Sequence, residues 1–114
     1  MNELNYASLE ASKRLVEAGI ALETDAEWCK LSNGIMGIYL KEQFKSGIFT
    51  VLAPAHSMAE VWRELPDIHN EYGITMMKYL GDTWCKYYDP HGFASTNPTD
   101  ALIGLLIWVR NGGV

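Results

Sequence analysis

Cysteine is scarce in this chain, and histidine, proline and basic charge are also sparse. Two cysteines, Cys29 and Cys85, are too few to frame a disulfide-stapled fold. Each lies between a Trp and a Lys in a strand-like segment, which predicts a reduced, buried, small apolar residue. Nine Lys and Arg against 14 Asp and Glu leave a net charge of −5. That balance works against nonspecific binding to nucleic-acid phosphates, while leaving room for a local basic patch. It suits a domain kept in solution by its charge, or one that occupies a basic groove on another protein. No apolar run approaches the roughly 20 residues of a membrane span. The longest, Ala101 to Val109, contains Gly104. The start, Met1 to Tyr6, has neither the basic region nor the apolar stretch of a secretion signal, so the expected location is the cytoplasm.

The usual chemical motifs are missing as well. His56, His69 and His91 do not pair at metal-ligand spacing, and there is no Cys-x-x-Cys. Asp67 and His69 could offer two ligands, but the segment after Pro66 reads as an exposed loop. No serine sits in a Gly-x-Ser-x-Gly elbow, and Ser57 reads as a helix cap. Nothing local lowers the pKa of Cys29. The ten glycines form no phosphate loop. Neither an enzyme nor a cofactor or metal protein is expected from these residues.

What is present is the pattern of one α+β domain. A chain of 114 residues suits one core and can bury roughly two thirds of its unfolded surface. Helical spacing of Leu9, Ala11, Leu15, Val16 and Ile20 predicts a first helix over Ser8 to Ala18, stopped by Gly19. Glu27–Leu31 and Ile35–Leu40 read as a hairpin about Asn33-Gly34, followed by a polar connection over Lys41–Gly47 and a strand over Ile48–Leu52. Ser57-Met58-Ala59-Glu60 is a capping box that opens a second helix, and Pro66 closes it. Ile74–Leu80 and Thr83–Tyr88 read as a second hairpin about Gly81-Asp82, with Asp89-Pro90-His91-Gly92 as turn chemistry. Asn97 and Pro98 begin a third helix, apolar on most sides, which belongs in the core or at a subunit interface. The predicted order is α-β-β-β-α-β-β-α, an antiparallel sheet of about five strands covered by three helices.

Two tripeptides echo each other: Trp28-Cys29-Lys30 and Trp84-Cys85-Lys86. By strand alternation Trp84, Lys86 and Tyr88 share one face, as do Trp28 and Lys30. Aromatic rings can stack a nucleobase, and lysines can meet phosphates. These five residues are the candidate ligand-binding set. The same pattern also fits Trp28 and Trp84 as core, with lysines flanking them. A Lys between two large aromatics favours a face open to solvent or ligand.

The segments Arg14–Gly19, Pro54–Pro66 and Asn97–Arg110 resemble a family of small proteins encoded by prophages and mobile elements of gut bacteria, especially Bacteroides relatives. More loosely, the chain is similar to small phage domains of α-β-α sandwich layout. The resemblance runs in order along nearly the whole chain and is least over Gly34–Phe49. It carries no catalytic residue onto this sequence. It implies a phage accessory protein in the host cytoplasm, for which three roles follow. One is a non-enzymatic, homo-oligomeric sponge for a nucleotide-derived immune signal, such as a cyclic ADP-ribose variant or a cyclic oligonucleotide. A second is an acidic inhibitor that binds a host nuclease or CRISPR effector. The third is a phage protein without a defence role.

Overall fold

The computed structural model describes residues 5–41 and 49–113, with only the backbone of Phe49. The first helix, α1 (Leu9–Glu17), is capped by Ser8, whose hydroxyl accepts the Ala11 amide at 3.1 Å. Gly19, at φ 73°, takes the left-handed turn that ends it. The Gly19 amide donates to Val16 and the Ile20 amide to Leu15, the paired bonds of a Schellman stop.

Three strands follow: β1 (Ala26–Leu31), β2 (Met36–Leu40) and β3 (Phe49–Pro54), ordered β2-β1-β3 and antiparallel. The expected third strand, Ile48–Leu52, begins at Phe49 among the described residues and runs on through Pro54. Pro54 is tolerated because it sits at the strand's last position. The expected connection over Lys41–Gly47 lies, after Lys41, outside the described residues. Helix α2 (Met58–Glu64) carries the full capping box: Ser57 Oγ accepts the Glu60 amide, and Glu60 Oε1 accepts the Ser57 amide.

A short hairpin comes next, β4 (Ile68–His69) and β5 (Tyr72–Gly73). The sequence reads as loop here, because a two-residue strand leaves no alternation to detect. The third sheet is β6 (Thr75–Tyr79), β7 (Asp82–Lys86) and β8 (Gly92–Ser95), in the order β6-β7-β8. Its first turn is Leu80-Gly81, one residue earlier than expected, with φ values of 50° and 85°. Strand β8 is an addition to the sequence reading, since Gly92 and Ala94 are poor strand formers. Helix α3 (Pro98–Arg110) starts as predicted, with Asn97 Oδ1 accepting the amides of Thr99 and Asp100.

The α+β class therefore holds, with eight strands in three antiparallel sheets among the described residues in place of about five in one. The main core joins Ala11 and Leu15 of α1, Val61 of α2, Cys85 of β7 and most of α3, from Ala101 to Leu106. Helix α3 is thus a core element, which accounts for its nearly all-round apolar surface. A smaller cluster of Ala26, Ile38 and Ala55 sits on the first sheet, with Tyr6, Trp28 and Leu40 against it. Among the described residues no helix is long and apolar enough to cross a membrane.

Candidate functional site

Strand β7 alternates strictly. Thr83 and Cys85 are buried against the helices, and Tyr87 just beyond the strand follows suit. Trp84 and Lys86 therefore project from the opposite, outer face of the sheet. The register sets what surrounds them. Trp84 lies between Met77 of β6 and Ala94 of β8, and Lys86 lies between Thr75 and Gly92. The small residues of β8 leave space beside the large residues of β7. The result is a groove of about 240 Å³, lined by Thr75, Met77, Trp84, Lys86, Asp89 and Pro90. The Trp84 indole is 40% exposed over it, unusually open for so large an apolar ring.

Lys86 Nζ pairs with Asp89 Oδ1 at 2.5 Å. The Asp89 side chain is largely exposed, so the pair is a surface ion pair of modest strength. An incoming anion can take over the ammonium without breaking the fold. The groove thus offers an aromatic face, a thioether at its side and one exchangeable cation.

The other proposed ligand residues lie elsewhere. Tyr88 leaves the line of β7 and joins a ring cluster around Trp108. Its ring lies 5.7 Å edge-on from Trp108 and 5.3 Å from Tyr72, and its hydroxyl accepts the Asn70 side-chain amide at 2.8 Å. Trp28 and Lys30 belong to the β2-β1-β3 sheet, not to the sheet of Trp84. Neither lines the groove. Trp28 packs on the smaller core cluster, and its indole N–H donates to the Ala7 carbonyl. Lys30 is exposed on β1. Of the five residues chosen from the sequence, the structure brings together Trp84 and Lys86.

The groove also contains residues that sequence reasoning passed over. Met77, Thr75 and Asp89 needed the β6–β7 register and the path after Lys86 to be known. Alternation of β6 against Trp84 was the one signal that could have found Met77.

Other chemistry-bearing groups are engaged in the fold. The His69 Nε2–H donates to the Gly113 carbonyl at 2.8 Å, and its ring meets Trp108 edge-on at 5.2 Å. His91 stacks on the other part of the cluster, 4.8 Å from Trp108. The His56 Nε2–H donates to the Leu22 carbonyl, and the Ser57 hydroxyl is occupied by the helix cap, so the two do not form a base and nucleophile pair. Burial pushes the Cys85 thiol up to about 12, and its S–H donates to the Ala101 carbonyl. Burial, with the Glu27 carboxylate nearby, also raises Cys29. Both sulfurs are thereby held as thiols, the unreactive form. Among the described residues, no three His, Cys, Asp or Glu side chains gather to hold a metal ion.

No protein-family model, curated protein or solved structure matches the chain.

Proposed function

We propose that this is a non-enzymatic binding protein that holds a nucleotide-derived signalling molecule against Trp84. The observation that carries the reading is the half-open Trp84 indole beside Lys86, over a groove bordered by Gly92. A ring face and a cation at one strand's spacing are what a nucleobase and its phosphate require. At about 240 Å³ the groove is smaller than the roughly 300 Å³ at which drug-sized pockets begin. It therefore seats one base and its phosphate, with the rest of a larger ligand outside. The resemblance to small phage-encoded proteins supports a sponge that lowers the free concentration of an immune signal in the bacterial cytoplasm. A cyclic ADP-ribose variant and a cyclic oligonucleotide are the ligand classes that follow.

Isothermal titration of the chain against a panel of such molecules tests the reading. Micromolar binding to one of them is expected, weakened roughly 5- to 150-fold by Trp84→Ala, since one stacked base is worth roughly 1–3 kcal/mol. No binding across the panel, or binding indifferent to Trp84→Ala, contradicts it.

A second reading has its own observation. The net charge of −5 suits a chain that occupies a basic groove on another protein. This favours an inhibitor docked on a host defence protein such as a nuclease. Recovery of such a protein in a pull-down from host lysate, together with silence in the titration, would select it.

A further inference from the structure

The hairpin that forms the groove also carries a bare sheet edge. Strand β6 is outermost in its sheet, and among the described residues β7 is its only strand neighbour. All five of its residues are exposed. It pairs with β7 in continuous register with no proline or bulge, so its outer backbone groups have no strand partner among the described residues. Sheet edges are normally blunted by bulges, prolines, charges or a covering element. Strand β8, the opposite edge, is backed by α3, whose Gly104 lies so near Phe93 that a Cβ there would come within 2.8 Å of the ring. Strand β6 has Lys78 alone, with Met76 on that residue's face and Met77 and Tyr79 on the other.

We propose that β6 pairs with β6 of a second copy of this chain, antiparallel about a two-fold axis at Met77. The two three-stranded sheets then become one of six strands. In that register Met77 faces the partner's Met77, Thr75 faces the partner's Tyr79, and Met76 faces the partner's Lys78. The register also suits the charge of the strand: Lys78, the one charged residue of β6, is set beside the partner's apolar Met76. No like charges face each other directly, whereas parallel pairing in register would set Lys78 against Lys78.

The available area suits a dimer. Met76, Met77, Tyr79 and Leu80 are 38%, 53%, 61% and 87% exposed. Taking about 200 Å² for a large side chain, they present on the order of 500 Å² per copy. With the backbone edge added, this approaches the roughly 800 Å² per partner of a standard interface. Met77 also lines the groove, so the partner's Met77 beside it lengthens the groove's wall on the side of β6.

Sedimentation of the full chain at micromolar concentrations tests the pairing, on the natural sequence, Met77→Glu and Met76→Glu. Both positions are exposed, so both variants fold, which circular dichroism checks. Met77→Glu sets two carboxylates face to face on the axis, and Met76→Glu sets each carboxylate opposite the partner's Lys78. The natural chain is expected at twice its 12.8 kDa mass. Met77→Glu should raise the dimer Kd by about tenfold or more, and Met76→Glu should stay dimeric. A monomeric natural chain, a Met77→Glu variant as dimeric as the natural one, or equal weakening by both substitutions overturns the proposal. No ligand enters this experiment, so its failure leaves the Trp84 groove reading untouched.

Discussion

The indole N–H of Trp28 donates to the carbonyl oxygen of Ala7 at 2.9 Å. That bond is one of four that clasp the segment Tyr6 to Ser8. The Ala7 amide donates to the His56 carbonyl at 2.8 Å, the Asn97 side-chain amide to the Tyr6 carbonyl at 3.0 Å, and the Ser8 amide to Asp100 Oδ1 at 2.8 Å. The first sheet, the entry to α2 and the start of α3 thus converge on three residues. Trp28 is a fastening of the fold, while its echo Trp84 is left half-open on another sheet.

Trp28→Phe should therefore cost stability and spare ligand binding. It keeps most of the apolar contact but leaves the Ala7 carbonyl without its donor. A loss of about 1–3 kcal/mol follows from stranding a half-buried acceptor. Urea unfolding measures the loss. Unchanged stability would mean that water replaces the indole at no cost.

Much of the fold was legible because it is written in local chemistry. The Ser57–Glu60 box, the Asn97-Pro98 start and the Gly19 stop each depend on neighbours three or four residues away. The missed elements depend on distant partners. Gly92 to Ser95 becomes a strand only because β7 lies beside it and Phe93 packs under α3. The His69–Tyr72 hairpin is held by His69 bonding to Gly113, 44 residues away. The site divided in the same manner. Alternation correctly set Trp84 and Lys86 on the face opposite Cys85, but alternation is blind to which sheet a strand joins. Hence Trp28 could not be told from Trp84, although each Trp-Cys-Lys unit lies in the central strand of a three-stranded antiparallel sheet with its cysteine buried. The path after Lys86, which turns Tyr88 toward Trp108, has no periodic signal at all.

The hairpin tip stores strain that can be relieved. Leu80 holds φ 50°, a left-handed conformation that costs a leucine roughly 1 kcal/mol, and it is 87% exposed. Leu80→Asn puts a residue there that tolerates the conformation, and Asn-Gly is the preferred pair for such a turn. The melting temperature should rise, by an amount matching about 0.5 kcal/mol. A fall would show that Leu80 makes a stabilising contact.

Alkaline pH should unfold the protein through two groups on β7 and just beyond it. Burial raises Cys85 from about 9.0 to about 12. Burial first, then the charges of Asp67 and Cys85, raises Tyr87 from about 10.0 to about 12, and its hydroxyl donates to the Pro66 carbonyl. Both groups bind protons more tightly when folded. Their stabilisation is complete below pH 9 and is lost as pH climbs toward 12. Stability measured across that range should fall steadily, and Cys85→Ala should shallow the slope. At neutral pH a thiol reagent should label Cys85 only after unfolding, and rapid labelling of the folded chain would contradict its burial.

The proposed ligand should meet Trp84 and not Trp28 of the other sheet. Nitrogen–proton NMR separates the indole signals of Trp28, Trp62, Trp84 and Trp108, with Trp84→Phe and Trp28→Phe identifying two of them. Titrating in the nucleotide that binds best should move the Trp84 indole signal and leave that of Trp28 in place. Movement of Trp28 with Trp84 unchanged, or no movement of either at saturating ligand, would contradict the account.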